Sequence, residues 1–393
     1  MKIGYYVTRF PYTQRDEKLI AQYDWGGGNI AAYNLAMCMV RRGHEVNVFT
    51  SSADSNDSIE TYNGMIVYRY GAKLKIGSAS IPLNIFRKPL DYPVDIIHAH
   101  HTVPPASYAA LWHARRKKVP FILSYHTRQV TSWGGIIRRT GAFFDNMLLA
   151  RILLPSAKLV ILPSEYFISE STFLRRYKSK IVSIPNGVNT TDFDIPYSKE
   201  ECRKILGLPT HNKIVLFVGS LSPHKRPDIL LKAMPIILRS VPDVIAVLVG
   251  NGILRDKLEK LAKKLGIYKF TKFVGFVPDK SISLYYKSAD VFVLPSIAET
   301  FGIVLLEASA SGLPLVVSDL KVFKTIVEDG YNGLVVKKGD EGELAQAIIR
   351  LFCDSQLRSM MSRNARIKAS AFSWETIAEE TERLYLAILK CEG

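Results

Sequence analysis

Two carboxylates eight residues apart, Glu299 and Glu307, lie in the stretch Leu294 to Asp319, LPSIAETFGIVLLEASASGLPLVVSD. An apolar strand ends at Leu294, a polar turn follows, and a helix runs from near Gly302 to Gly312 before the strand Pro314 to Ser318. At 3.6 residues per turn, Glu307 sits just over one turn into that helix, so both acids can border one pocket. Between them, the N–H groups of Phe301, Gly302 and Ile303 are the orphan donors of a helix start, which favours an anion. Thr300 belongs to the same turn. Carboxylates for hydroxyls and amides for phosphate suit a sugar nucleotide. The plainer alternative is a pair of surface acids. The run Ile303 to Leu306 argues against it, because a helix apolar nearly all round is buried and a buried carboxylate needs partners.

Other residues of chemical interest also follow strands. Lys225 and Arg226 sit between the strand 213–219 and a helix starting near Pro227, where cations can neutralise a diphosphate leaving group; a solvated basic turn reads equally well. His126 directly follows FILSY, a position suited to a site and equally to a surface histidine. His98, His100 and His101 end another strand as HAHH. Alternation places His98 and His100 on one face. No acidic partner with metal-ligand spacing accompanies them, and His98 reads as polar core lining. The glycines Gly26, Gly27 and Gly28 let backbone approach a phosphate, but they are not GxGxxG and do not directly follow a strand, so a hinge or turn is the alternative.

The elements that must position these residues alternate along the chain. Strand patterns fall at 2–8, 44–51, 64–70, 94–99, 119–125, 158–163 and 180–185, with helices between several of them at 30–42 (capped by Asn29), 107–118 and 164–177. A second series has strands at 213–219, 244–250, 269–275, 290–295 and 314–318, with helices at 227–239, 253–265, 281–287 and 302–311. Helices at 341–353, 355–370 and 374–390 close the chain. This predicts two doubly wound, Rossmann-like α/β domains, 1–188 and 189–373, with the segment 374–393 as a final helix. Ligands of such sheets bind at the carboxyl ends of the strands, so a cleft between the domains is the expected site.

Bulk composition bounds the function. The 393 residues exceed one ordinary core. No apolar run reaches the ~18 residues that span a bilayer, and the N-terminus reads as a strand, so a cytoplasmic location is expected. Cys38, Cys202, Cys353 and Cys391 are scattered and read as reduced packing residues without a metal site. Net charge is +16, and residues 1–190 carry 24 Lys/Arg against 12 Asp/Glu. A basic half attracts polyanions, yet no RNA- or DNA-binding motif is present, so nucleic acid is not an expected partner.

Taken together, these residues resemble the family-four glycosyltransferases, retaining enzymes of the GT-B fold. The acidic motif ETFGIVLLEASASGLP is the most specific part. GGG with LAMCMVRRGHEV, DIIHAHH, ILSYHT, SIPNGVNT, FVGSLSPHKRPD, FVGFVP and EDGYNGLVV support it in order over nearly the whole chain. The resemblance implies a UDP- or GDP-sugar donor, no required cofactor or metal, and transfer with retention. It assigns the donor diphosphate to Lys225 and the amides from Phe301 to Ile303, donor sugar hydroxyls to Glu299, and ribose hydroxyls to Glu307. His126 would lie near the reacting centre. Gly27 and Gly28 would allow closure over the phosphate, the Gly250-Asn251-Gly252 turn and the backbone from Gly275 to Val277 would cradle base or ribose, and the helix from Trp374 would return to the N-terminal domain.

Two departures stand out. Ser220 replaces an arginine that often shares the diphosphate, with Arg226 the candidate substitute, and the loop Arg9 to Trp25 is long and expected to shape the acceptor side. The acceptor reading rests on residues 128–154, where Arg128, Arg138, Arg139 and Arg151 mix with Ile136, Ile137, Phe143, Phe144, Leu148 and Leu149. A basic amphipathic helix there suits an anionic membrane surface and a lipid-linked glycan, glycolipid or surface polysaccharide; packing on the N-terminal sheet is the alternative. The rival functions are transfer to a small soluble acceptor and a non-catalytic sugar-nucleotide-binding partner. The oligomeric state is not legible.

Overall fold

The computed structural model describes residues 1–12, 27–72, 74–76, 79–126, 136–169 and 172–391. The chain divides into two compact units, Met1–Asn186 with the C-terminal segment from Trp374, and Gly187–Ser373.

The first unit is built on an eight-stranded sheet. In spatial order its strands are Ile181–Ser183, Leu159–Leu162, Phe121–Tyr125, Ile96–His101, Lys2–Val7, Glu45–Ser51, Met65–Tyr70 and Ser58–Tyr62. All neighbours are parallel except the last pair. Adjacent residues serve opposite cores: Phe49, Ile97 and Leu123 lie in one cluster, and Val48, Ile96 and Ile122 in the other. Burial on both faces is why these strands read as continuous apolar runs. The edge strand Ser58–Tyr62 has no such run and alternates half-buried with exposed residues, so hydrophobic pattern does not mark it. A small antiparallel strand pair, Leu74–Ile76 with Ala79–Ile81, lies outside this sheet.

The helix Trp374–Lys390 packs beside the helix Gly27–Arg41 on this unit, with Trp374, Ile377, Ala378 and Tyr385 in the core. Glu382 fixes it further, accepting from Arg42 Nε at 2.7 Å and pairing with His44 Nε2 at 2.6 Å.

One sequence expectation needs correction. Asn29 is not a cap: the helix spans Gly27–Arg41 and Asn29 is buried inside its first turn, near Thr102, whose hydroxyl reaches Asn29 Oδ1 at 3.4 Å. Of the helix expected over 164–177, the parts Tyr166–Ser169 and Thr172–Arg175 are helical among the described residues. Most of the long loop, with Gly26 and Arg128, lies outside the described residues. The loop's first residues are held by buried Arg69, which donates to the Phe10 carbonyl at 2.8 Å and also to that of Pro11.

The second unit has a six-stranded, all-parallel sheet in the order Thr271–Gly275, Val244–Val249, Lys213–Val218, Val291–Leu294, Leu315–Ser318 and Gly333–Val336. In order of occurrence this is 3-2-1-4-5-6, the doubly wound order, whose ligand site lies where the winding reverses. The reversal here falls between Lys213–Val218 and Val291–Leu294. The loops leaving those two strands carry Lys225 and Glu299. Among the described residues, no helix is long and apolar enough to cross a membrane.

Candidate functional site

In the second unit, five neighbouring strands bring their carboxyl ends and loops side by side, and hydrogen bonds stitch these together. Gly250 N–H donates to the Gly275 carbonyl at 2.7 Å, Leu221 N–H to Asn251 at 2.9 Å, and Ile297 N–H to His224 at 2.8 Å. The Ser318 hydroxyl donates to the Ser296 carbonyl. Glycine is required at the closest crossing: a Cβ on Gly250 would stand 2.0 Å from the Gly219 carbonyl oxygen, and its φ is +128°. Asn251 is exposed beside it and Val277 half-buried.

Lys225 Nζ donates to Glu299 Oε1 at 2.5 Å, with 15% and 9% of the two side chains accessible. Ser296 Oγ donates to the same oxygen at 2.8 Å. The helix begins at Ile303, with Gly302 as its N-cap at φ +91°, one residue later than the donor set read from sequence implied. Among the described residues, the backbone N–H groups of Phe301, Gly302 and Ile303 meet no carbonyl, which leaves them available to an anion. Thr300 is half-buried beside them, while the Phe301 ring is core, edge-on to Phe372. One helical turn on, Glu307 Oε2 accepts from the Tyr286 hydroxyl at 2.6 Å. Burial, then Glu307, pushes the Tyr286 hydroxyl well above its usual range, so it stays a donor.

Arg226, the candidate substitute for the missing arginine, is paired in this structure. Its guanidinium spans both oxygens of Asp228, at 2.8 and 3.0 Å, because Pro227 opens a helix whose first turn places Asp228 beside it. At Ser220 a hydroxyl chain runs instead, Ser220 Oγ to Ser222 Oγ at 2.9 Å and on to His224 Nδ1 at 3.2 Å. Sequence reading missed Ser296 and Tyr286. Ser296 shares the loop of Glu299, whereas Tyr286 reaches Glu307 from another helix and has no local signal.

In the first unit, His126 ends its strand with its amide bonded to His101 O at 3.2 Å. Burial, then His101, lowers the imidazole to about 4, so it is neutral near pH 7 and acts as a hydrogen-bonding group. His100 Nδ1 lies 2.9 Å from its Nε2. Gly27 is exposed at the start of its helix. Gly28 packs against His126: an added Cβ would be 2.7 Å from both His126 Cβ and Thr102 Cγ2. Glycine is needed there for close approach to the histidine, a constraint distinct from phosphate binding. His98 is fully buried. His101 lies 3.3 Å from Asp145 at ion-pair distance, but no group of three or more metal-ligating side chains occurs among the described residues.

Comparison with known proteins bears on this arrangement. A model of group 1 glycosyl transferases matches residues 198–368, and a model of glycosyltransferase family 4 matches residues 25–192. An uncharacterized glycosyltransferase of Methanocaldococcus jannaschii is 31% identical over 94% of this chain and 96% of its own. A phosphatidyl-myo-inositol mannosyltransferase of Mycobacterium leprae is 28% identical over 92% of each. Among solved structures, a sucrose-phosphate synthase from Thermosynechococcus elongatus superimposes with a TM-score of 0.79 at 24% identity, over 99% of both chains. Two Rossmann-like units, and likeness along almost the entire length, place the chain in a family: it belongs to the family-four glycosyltransferases, with the GT-B fold.

Proposed function

We propose that the protein is a retaining hexosyltransferase that moves a sugar from a UDP- or GDP-sugar to an acceptor hydroxyl on a lipid-linked glycan or glycolipid. The observation that carries the donor half is the Lys225–Glu299 pair beside the unengaged amides of Gly302 and Ile303. In this reading Lys225 leaves Glu299 for the diphosphate when donor binds, and Glu299 turns to the sugar hydroxyls. Glu307, oriented by Tyr286, takes the ribose hydroxyls. The glycine turn at Gly250 and the backbone near Val277 receive the base. His126 offers a neutral nitrogen to the sugar.

The bond from the anomeric carbon to phosphate oxygen breaks, and the acceptor oxygen bonds to that carbon on the same face. The acceptor proton passes to the leaving phosphate. Lys225 and the helix amides stabilise the charge that grows on the diphosphate.

Thermal unfolding against a panel of UDP-, GDP- and ADP-sugars tests the donor. One base and sugar should stabilise the protein selectively, by about 2.7 kcal/mol at a hundredfold excess over Kd, and that donor should slowly release its nucleotide. Indifference to the whole panel, with no nucleotide released, would overturn the reading.

The acceptor half draws on the helix Ile136–Leu148, which packs on the first unit and still exposes an apolar patch. Ala142 is buried, yet Phe143 and Phe144 are 59% and 51% exposed, with Arg139 and Arg151 also exposed nearby. Its one acid, Asp145, is turned inward to the Tyr108 hydroxyl at 2.8 Å, so no carboxylate of this helix faces outward. Such a surface suits an anionic bilayer. The relative named for phosphatidyl-myo-inositol points to the same kind of acceptor. Sedimentation should show binding to anionic vesicles, weakened by salt, and none to neutral ones. Equal indifference to both would favour a soluble acceptor.

A further inference from the structure

The histidine cluster of the first unit is larger than a single substrate-facing imidazole requires. The rings of His100 and His126 are parallel within 6°, with centroids 5.1 Å apart. His100 stacks in turn on His98, 4.3 Å away. His98 is held at both nitrogens, by the Tyr385 hydroxyl at 2.5 Å and the Ser124 hydroxyl at 2.7 Å. The Tyr5 ring flanks both histidines, and its hydroxyl meets that of Tyr385 at 2.9 Å. Contacts on both sides therefore fix the plane of His100, and the C-terminal helix supports it indirectly, through Tyr385 on His98 and Tyr5.

Two ring nitrogens remain over. His100 Nε2 and His126 Nδ1 are buried without a hydrogen-bond partner among the described residues. A single N–H···N bond between two neutral imidazoles leaves one spare N–H and one bare nitrogen, and there are two ways to distribute them. If His126 donates, the spare N–H falls on His100, sealed at 2% exposure, where an orphan donor is costly. If His100 donates, the spare N–H falls on His126 Nδ1, an atom buried as well but on the residue at the strand end, which is 8% exposed against 2% for His100, so a ligand docking there is the partner that can satisfy it.

We propose that His100 is a positioning residue: it donates from Nδ1 to His126 Nε2 and so fixes His126 as the tautomer that presents Nδ1–H to an oxygen of the sugar substrate. The presentation to sugar rests on the function proposed above; the tautomer does not. The test is long-range proton–nitrogen correlation spectroscopy on histidine-labelled protein, run beside donor kinetics. Wild type should show His126 protonated at Nδ1 and bare at Nε2. His100→Phe should lose that single tautomer, with kcat about tenfold lower and the donor KM little changed. His100→Asn, whose amide nitrogen sits where Nδ1 sits, should recover the tautomer and most of kcat. Finding His126 protonated at Nε2 in wild type, or the same tautomer and kcat in His100→Phe, overturns the proposal. If His100→Phe does not fold, the wild-type and His100→Asn spectra still decide. Wild-type transfer by His126→Ala would remove the substrate contact alone and leave the tautomer assignment standing.

Discussion

Lys225→Ala is expected to lower sugar transfer by about 10²–10³-fold, mostly in kcat, the scale of losing one preorganised charge at the developing oxyanion. The substitution acts twice. It removes the cation that would face the diphosphate, and it leaves Glu299, bonded to Lys225 at 2.5 Å, with the Ser296 hydroxyl donating at 2.8 Å. An unpaired carboxylate at that point repels the donor as well. Glu299→Gln separates these effects: it keeps hydrogen-bonding capacity toward hydroxyls, releases Lys225, and should lose less than Glu299→Ala. Transfer and donor-stabilisation assays on the three variants, with circular dichroism as the folding control, give the comparison. Near-wild-type transfer in both alanine variants, folding intact, would remove this site.

Gly250→Ala is expected to destabilise the second unit by about 3 kcal/mol or more. Two costs add. A φ of +128° strains any L side chain, and the new Cβ would stand 2.0 Å from the carbonyl oxygen of Gly219, which is backbone and cannot rotate away. Strain of the first kind costs ~1–3 kcal/mol, and the clash forces one loop from its place. For a unit of this size, that loss lowers the melting temperature by about 6–12 °C. Gly330→Ala is the control, since its φ is +77° but nothing lies within 4 Å of the added Cβ. It should pay only the conformational part, ~1–2 kcal/mol. Equal shifts for the two variants in a thermal scan would show that the crossing of these loops is not tight.

The sequence alone determined the periodic parts. Strands buried on both faces are apolar runs, helices between them have their own repeat, and the alternation of the two dictates two Rossmann-like units. It also exposed those parts of the site that are local: Glu299, Gly302 and Glu307 sit on one loop and one helix, where spacing converts directly into geometry. Ser58–Tyr62 escaped because a half-exposed edge strand carries no apolar run. Asn29 misled because its residue type favours caps, while its neighbours let the helix start earlier.

Tertiary structure decided every pairing across strands. Lys225 meets Glu299 because the sheet order 3-2-1-4-5-6 brings the first and fourth strands of the second unit side by side, and nothing in the chain between these residues, 74 positions apart, announces it. Tyr286 reaches Glu307, and His100 reaches His126, for the same reason: parallel neighbours and packed helices align residues that are distant in sequence. Arg226 was the reverse case. It read as a cation for a diphosphate or as part of a solvated turn, and the fold pairs it with Asp228, two residues away, where Pro227 turns the chain into a helix. Residue types announce what a position is able to bind, and only the folded neighbours settle whether that capacity is already taken.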